Sequence, residues 1–296
     1  MVDLDFVLAD VFSDRPFMGN QLAVIPNAEG LTDATMQAIT REFNFSETTF
    51  VLPPENPTHT CRLRIFTPRN ELPFAGHPTL GTAAVLARRL DANASLRRRF
   101  TFEEGIGPVA VDVDGDNACL RLQSPNYETT AESPPIEAIA KALSLRETDI
   151  TESWWASVGL QFCYVRLANI EAVDRAALDK SAWASSDANG WPSALYVFGG
   201  EWRSGARMYA RCFFPGAGID EDPATGSAAA GLAASLAERS PAGLEACELW
   251  IDQGVRMGRA SVLHAEARRE RGVLIEVNVS GSVTIVGTGK ITLREL

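Results

Sequence analysis

Cysteine is scarce: five residues, at positions 61, 119, 163, 212 and 247 of a 296-residue chain, with no CxxC pair and no cysteine at ligand spacing from a histidine. An odd, scattered set of this kind argues against a disulfide framework and for a reduced, cytoplasmic protein. Histidine is scarcer still, and His59, His77 and His264 show none of the spacings that hold a catalytic metal, so no metal is expected. No apolar run approaches the roughly 18 residues of a membrane span. The opening "MVDLDFVLADVF" carries acidic residues where a secretory leader needs positive charge. Basic residues are outnumbered, 27 Lys and Arg against 38 Asp and Glu, and the net charge of −11 repels nucleic acid and anionic membranes. The one basic run, Arg97-Arg98-Arg99, reads as a solvated turn before a strand at Phe100. No lysine follows "PATGS" as in a phosphate-binding loop, no strand leads into G-x-G-x-x-G, and G-x-S-x-G is missing.

What the chain does contain is an ordinary globular balance, 46% hydrophobic and 22% charged, over a length that favours two domains. Strand-like runs, "DFVLADVF" from Asp5, "TTFVLP" from Thr48, "CRLRIFTP" from Cys61 and "VAVDVD" from Val109, alternate with helical ones, which makes the class mixed α and β. Between the first two runs a helix is expected, capped by Thr32, with Met36, Ile39 and Phe43 on one face and Asn44 at its end.

The chain also resembles itself. "RIFTP" at 64–68 is echoed by "RCFFP" at 211–215, and "PTLGTAA" at 78–84 by "PATGSAA" at 223–229, in the same order and at offsets of about half the chain. Such an echo points to an internal duplication. The polar, proline-bearing stretch 122–135 then divides a first domain, 1–121, from a second, 122–296, whose last strand is free to return to the first.

Proline favours the first helical position, because its missing N–H has no intrahelical partner there. His77 and Asp222 therefore read as the N-caps of two small-residue helices, "GTAAVLA" and "GSAAAGLAASL", each buried and each offering free N–H groups to a carboxylate. Converging, the two starts would form one anion-binding cleft. Asp222 reads equally well as a plain structural cap, and Thr225 and Ser227 as small packing residues. For the chemistry, "NFSETTFV" places Glu47 at the start of an apolar strand. Lodged among Phe43, Phe45 and Phe50, its carboxyl would rise in pKa and suit a proton carrier; exposed at the strand end, it would be an ordinary glutamate.

"DVFSDRPFMGNQLAV" (10–24), "EFNFSETTFVLPP" (42–54), "RIFTPRNELPFAGHPTLGTA" (64–83), "FFPGAGIDEDPATGSAAAGLA" (213–233) and "DQGVRMGRASVL" (252–263) resemble, in order and across nearly the whole chain, the PhzF-like, or phenazine-biosynthesis-like, isomerase and epimerase family. The resemblance implies a diaminopimelate-epimerase-like fold, with two similar α/β domains, each a barrel-like sheet around a central helix. It implies a cofactor-independent isomerase that moves a proton on a small carboxylic acid, in the manner of trans-2,3-dihydro-3-hydroxyanthranilate isomerase, and a homodimer. Position by position, it makes Glu47 the proton carrier. His77 and Asp222 would support it, with Asn20, Gly76, Thr225, Gly226 and Ser227 about the substrate. The epimerase branch has a cysteine at each helix start; Gly76-His77 and Asp222-Pro223 stand here instead, which rules out a two-thiol mechanism. Gln21 and Ala260 occupy positions where the family usually has proline, which bears on substrate identity. The alternative is a protein that binds a small carboxylate without turning it over.

Overall fold

A computed structural model describes residues 2–91, 97–123, 125–130, 135–185, 194–201, 205–217, 219–239 and 245–293. The chain divides into two compact units, residues 1–122 with 280–296, and residues 123–279.

Unit 1 runs β1 (Val2–Val11), β2 (Asn20–Ile25), α1 (Asp33–Phe43), β3 (Glu47–Leu52), β4 (Cys61–Phe66), β5 (Glu71–Leu72), α2 (Gly76–Leu90), β6 (Arg98–Glu104), β7 (Gly107–Asp114) and β8 (Asn117–Gln123, whose last residue falls in unit 2). Unit 2 runs β9 (Tyr127–Thr129), α3 (Ile136–Ala142), β10 (Ile150–Val158), β11 (Leu160–Leu167), α4 (Ile170–Arg175), α5 (Lys180–Ala184), β12 (Leu195–Gly199), β13 (Ala206–Phe214), β14 (Ile219–Asp222), α6 (Gly226–Arg239), β15 (Ala246–Gln253) and β16 (Ser261–Glu270). The long β17 (Val273–Leu293) gives its first residues to unit 2 and the remainder to unit 1.

The duplication is written in the strand pairings. In unit 1, β1–β2 is antiparallel, β2–β3 parallel, β3–β4 antiparallel, β4–β6 parallel and β6–β7 antiparallel. In unit 2, β10–β11, β11–β12, β12–β13, β13–β15 and β15–β16 repeat that alternation. Pairings β7–β8, β8–β17 and β17–β1 then close unit 1 into a barrel of eight strands. Its interior is filled by α2, which packs against β1, β2, β3 and β7; in unit 2, α6 packs in the same way against β10, β11, β15 and β16. A helix surrounded on all sides has no room for bulk, which is why both are runs of Gly, Ala, Thr and Ser. Gly81 shows how tight the fit is: a Cβ there would come within 2.5 Å of Leu22 and 2.7 Å of Val11.

The repeat extends to side chains. Arg64 on β4 grips Glu71 on β5 with two hydrogen bonds and lies over Phe66; Arg211 on β13 grips Glu221 on β14 with two and lies over Phe213. Outside the barrel of unit 1, α1 covers β3. Thr32 Oγ1 accepts from Thr35 N–H and Asn44 ends the helix in the left-handed region at φ 52°. The basic run is not a turn: Arg98 and Arg99 lie within β6, and Arg97 and Arg99 bond to Asp114 and Asp112 of the neighbouring β7. Alternation along two paired strands sets these charges opposite each other, which a run of three arginines read alone does not reveal. Trp154 and Trp155 are core residues of unit 2. Among the described residues, no helix is long and apolar enough to cross a membrane.

Candidate active site

In unit 1, Glu47 opens β3 and pairs with Leu22 of the parallel β2. The strand alternates, so Glu47 and Thr49 face one way and Phe50 the other. Thr49 bonds Thr82 of α2, whereas Phe50 packs against Phe66 and the residues Met36 and Ile39 of α1. Glu47 therefore looks toward the central helix and not into the expected cage with Phe50; Phe43 and Phe45 stack on one another. An imidazole lies beside the Glu47 carboxyl. Its Oε2 lies 3.4 Å from Nε2 of His77, and the two side chains are 12% and 7% exposed.

His77 is the second residue of α2 and not its cap. Ala75 holds the cap position in extended geometry, and no side chain caps the helix. Pro78 is accommodated as the third helical residue because the first-turn amides have no intrahelical acceptor to lose. With Pro78 contributing no N–H, Gly76 and His77 carry the donors of that end. The imidazole is set from behind. Asn20, the first residue of β2 and 2% exposed, approaches Nδ1 with its Nδ2 at 3.3 Å, while its Oδ1 accepts from Ser46 at 3.1 Å. Nδ1 thus faces the Asn20 amide and Nε2 faces Glu47. Burial pushes the His77 pKa down to about 3, with a hydrogen bond to the backbone of Gln21 acting the other way, and the ring is neutral at physiological pH.

In unit 2, Asp222 closes β14, where it pairs with Cys212 of β13, and is 8% exposed. It is not an N-cap either. Helix α6 begins at Gly226, and Thr225 supplies the first helical acceptor to Ala229 N–H. Pro223 lies three residues ahead of the helix because Asp222 is committed to the sheet. The motif match thus places Gly81 in the sixth position of α2 but Gly226 in the first of α6. Thr225 Oγ1 donates to Asp222 Oδ2 at 2.6 Å. Gly226 and Ser227 form the first turn, with Ser227 partly exposed. Two partners were not singled out from the sequence: Tyr196 and the fully buried Gln253, which bonds Thr225 and the Asp222 carbonyl. A signal for Gln253 existed. Along β15, Cys247, Leu249 and Ile251 are the inward positions, and an amide continues that face at 253.

Chemically the two units are not equivalent. The position of Glu47 in the repeated parallel pair is taken in β12 by Leu195, opposite Cys163. All five cysteines are free; Cys61, Cys163, Cys212 and Cys247 are buried, with thiols pushed up by burial. Among the described residues, no metal-ligand group brings two histidines together. Among the described residues, Glu248, His264 and Glu266 form a group of metal-ligand type that sequence spacing hides, since it is assembled across the β15–β16 pair. His264 has other work there: it holds Glu248 at 2.9 Å and stacks on Trp250.

A closed barrel about a small-residue helix and a second unit on the same plan make an epimerase-like fold, and in unit 1 a buried carboxyl lies beside an imidazole at the helix start. The chain belongs to the phenazine biosynthesis-like protein family, whose model matches residues 9–289. An uncharacterised isomerase of Mesorhizobium japonicum is 39% identical, over 97% of this chain and 98% of that one. The trans-2,3-dihydro-3-hydroxyanthranilate isomerase of Pseudomonas fluorescens is 36% identical, over 98% and 99%. Among solved structures, a PhzF-family phenazine biosynthesis protein of Bacillus anthracis superposes with a TM-score of 0.85 at 22% identity, over 99% of this chain and all of the other.

Proposed function

We propose that this isomerase shifts a proton on a small carboxylic acid without a cofactor, as the trans-2,3-dihydro-3-hydroxyanthranilate isomerases it resembles suggest, with Glu47 as the proton carrier. The observation that carries this reading is the contact between Glu47 Oε2 and His77 Nε2 in a buried setting. An imidazole placed beside the carboxyl keeps a polar group within reach of the proton that Glu47 carries. Glu47 removes a proton from carbon and redelivers it elsewhere on the conjugated system. Asn20 holds the ring of His77, and the first-turn amides at Gly76–His77 receive a carboxylate. In unit 2, Asp222, with Thr225, Gly226 and Ser227 beside it, is a carboxylate able to orient the polar groups of a small molecule. The family resemblance also supports a homodimer, which light scattering on the purified protein tests.

Deuterium uptake tests the chemistry. In heavy water, trans-2,3-dihydro-3-hydroxyanthranilate and related small carboxylates are incubated with the protein and with Glu47→Gln. The wild type should place deuterium on carbon, and the variant should do so at least about a hundredfold more slowly. Equal rates in the two would sink the role of Glu47.

A further inference from the structure

The amide of Gln253 can be seated only one way. The backbone N–H of Thr225 cannot accept, so it fixes Oε1, at 3.2 Å; the carbonyl of Asp222 cannot donate, so it fixes Nε2, at 2.8 Å. The second proton of Nε2 then goes to Thr225 Oγ1 at 2.9 Å. Having accepted from Gln253, the Thr225 hydroxyl turns its single proton to Asp222 Oδ2 at 2.6 Å. Tyr196 donates to the remaining side of Oε1 at 3.2 Å. Direction therefore passes along the chain from Gln253 to Thr225 to Asp222, with each link set by the one before.

The backbone holds the origin of this chain in place. Gly254 sits at φ 72°, and a Cβ on it would come within 2.6 Å of the Pro223 carbonyl and 2.5 Å of that of Arg259. The end of β15 is thus pressed directly against the segment between Asp222 and Thr225.

We propose that Gln253 is a positioning residue for Asp222: acting through Thr225, it forces the Thr225 hydroxyl to donate and so holds Asp222 as an ionised acceptor in a single orientation. The importance of this for turnover rests on the role given to Asp222 under Proposed function; the coupling itself does not. Titratable groups facing Asp222 include Cys212, across the β13–β14 pair, and Tyr196. Burial pushes both upward, so they stay neutral while Asp222 titrates. The neighbouring Glu221 is held in its ion pair with Arg211.

The test reads Asp222 directly and without substrate. Protein labelled with 13C at the aspartate side-chain carboxyl is titrated by NMR, with the Asp222 resonance assigned by its loss in Asp222→Asn. Thr225→Val and Gln253→Met should each raise the Asp222 midpoint by about one pH unit, the effect of removing one hydrogen bond to a carboxylate. Thr225→Ser, which keeps the hydroxyl, should keep the midpoint. Should Gln253→Met not fold, Gln253→Glu reads the same link, since its carboxylate draws the Thr225 proton away from Asp222. Unfolding temperatures are recorded on the same samples. A midpoint unmoved in Thr225→Val, or a lowered unfolding temperature with an unmoved midpoint in the Gln253 variants, overturns the proposal.

Discussion

His77 Nε2 lies 3.4 Å from Glu47 Oε2, and the histidine is held there as a neutral ring. Its pKa is lowered from about 6.5 to about 3 by burial, so below pH 6.5 the unfolded chain binds a proton that the native one refuses. Stability contributed by this site is complete above pH 6.5 and is lost as pH falls toward 3, at up to about 1.4 kcal/mol per pH unit. Urea unfolding of His77→Phe should show a flatter acid limb than the wild type. In 15N spectra of the parent, the ring should remain neutral at pH 5, and a titration midpoint near 6.5 would contradict the burial argument.

Arg64 and Arg211 occupy matching places, yet their loss should not cost the same. Arg211 is 9% exposed and, besides Glu221, bonds the carbonyls of Val173, Asp174 and Ala176. Arg211→Met strands that buried set and should cost about 3–5 kcal/mol. The carboxylate partners of Arg64, Asp33 and Glu71, are 80% and 41% exposed, and Arg64→Met should cost about 1 kcal/mol. Denaturant midpoints of the two variants, measured side by side, give the comparison.

Glu104 should make the protein sensitive to alkali. The Thr79 hydroxyl has one proton and two acceptors in reach, the Ala75 carbonyl at 2.7 Å and Glu104 Oε1 at 2.8 Å. Burial pushes the Glu104 pKa up to about 8, so at neutral pH the acid itself supplies the second proton. A folded pKa above the unfolded value means stability that is fully present below about pH 4.5 and drains away as pH rises through 8. Glu104→Gln keeps a donor and has no proton to lose. Its melting temperature should match the parent at pH 5 and exceed it by several degrees at pH 8 to 9.

Gly254→Ala places a methyl group against two carbonyl oxygens in a left-handed backbone. A loss of about 2 kcal/mol or more is expected from strain and clash together. Calorimetry measures it, and a loss below 0.5 kcal/mol would show that the end of β15 can move away from Pro223.

Much of the architecture was legible because it follows from periodicity. The Thr32 cap, the strand runs and the echo of RIFTP in RCFFP all rest on local rules, and the pairings and the two arginine grips bear them out. What local rules missed was set by the sheet. Proline placed the two helix starts wrongly, since β14 claims Asp222 and the cap of α2 falls to Ala75. Alternation turns Phe50 away from Glu47. Gln253 lies 28 residues beyond Thr225 and is brought back to it by the end of β15 and the left-handed Gly254 that follows.

Strand β17 bears on how the protein is made. Unit 1 cannot close its barrel until residues 280–293 bridge β1 and β8, and those residues leave the ribosome after all of unit 2. At roughly 5–20 residues per second the wait is on the order of ten seconds or more, with two strand edges of the first-made half unpaired throughout. The first half of the sequence is therefore the last to be finished. Factors that shield nascent chains would find it their longest-lived client on this polypeptide.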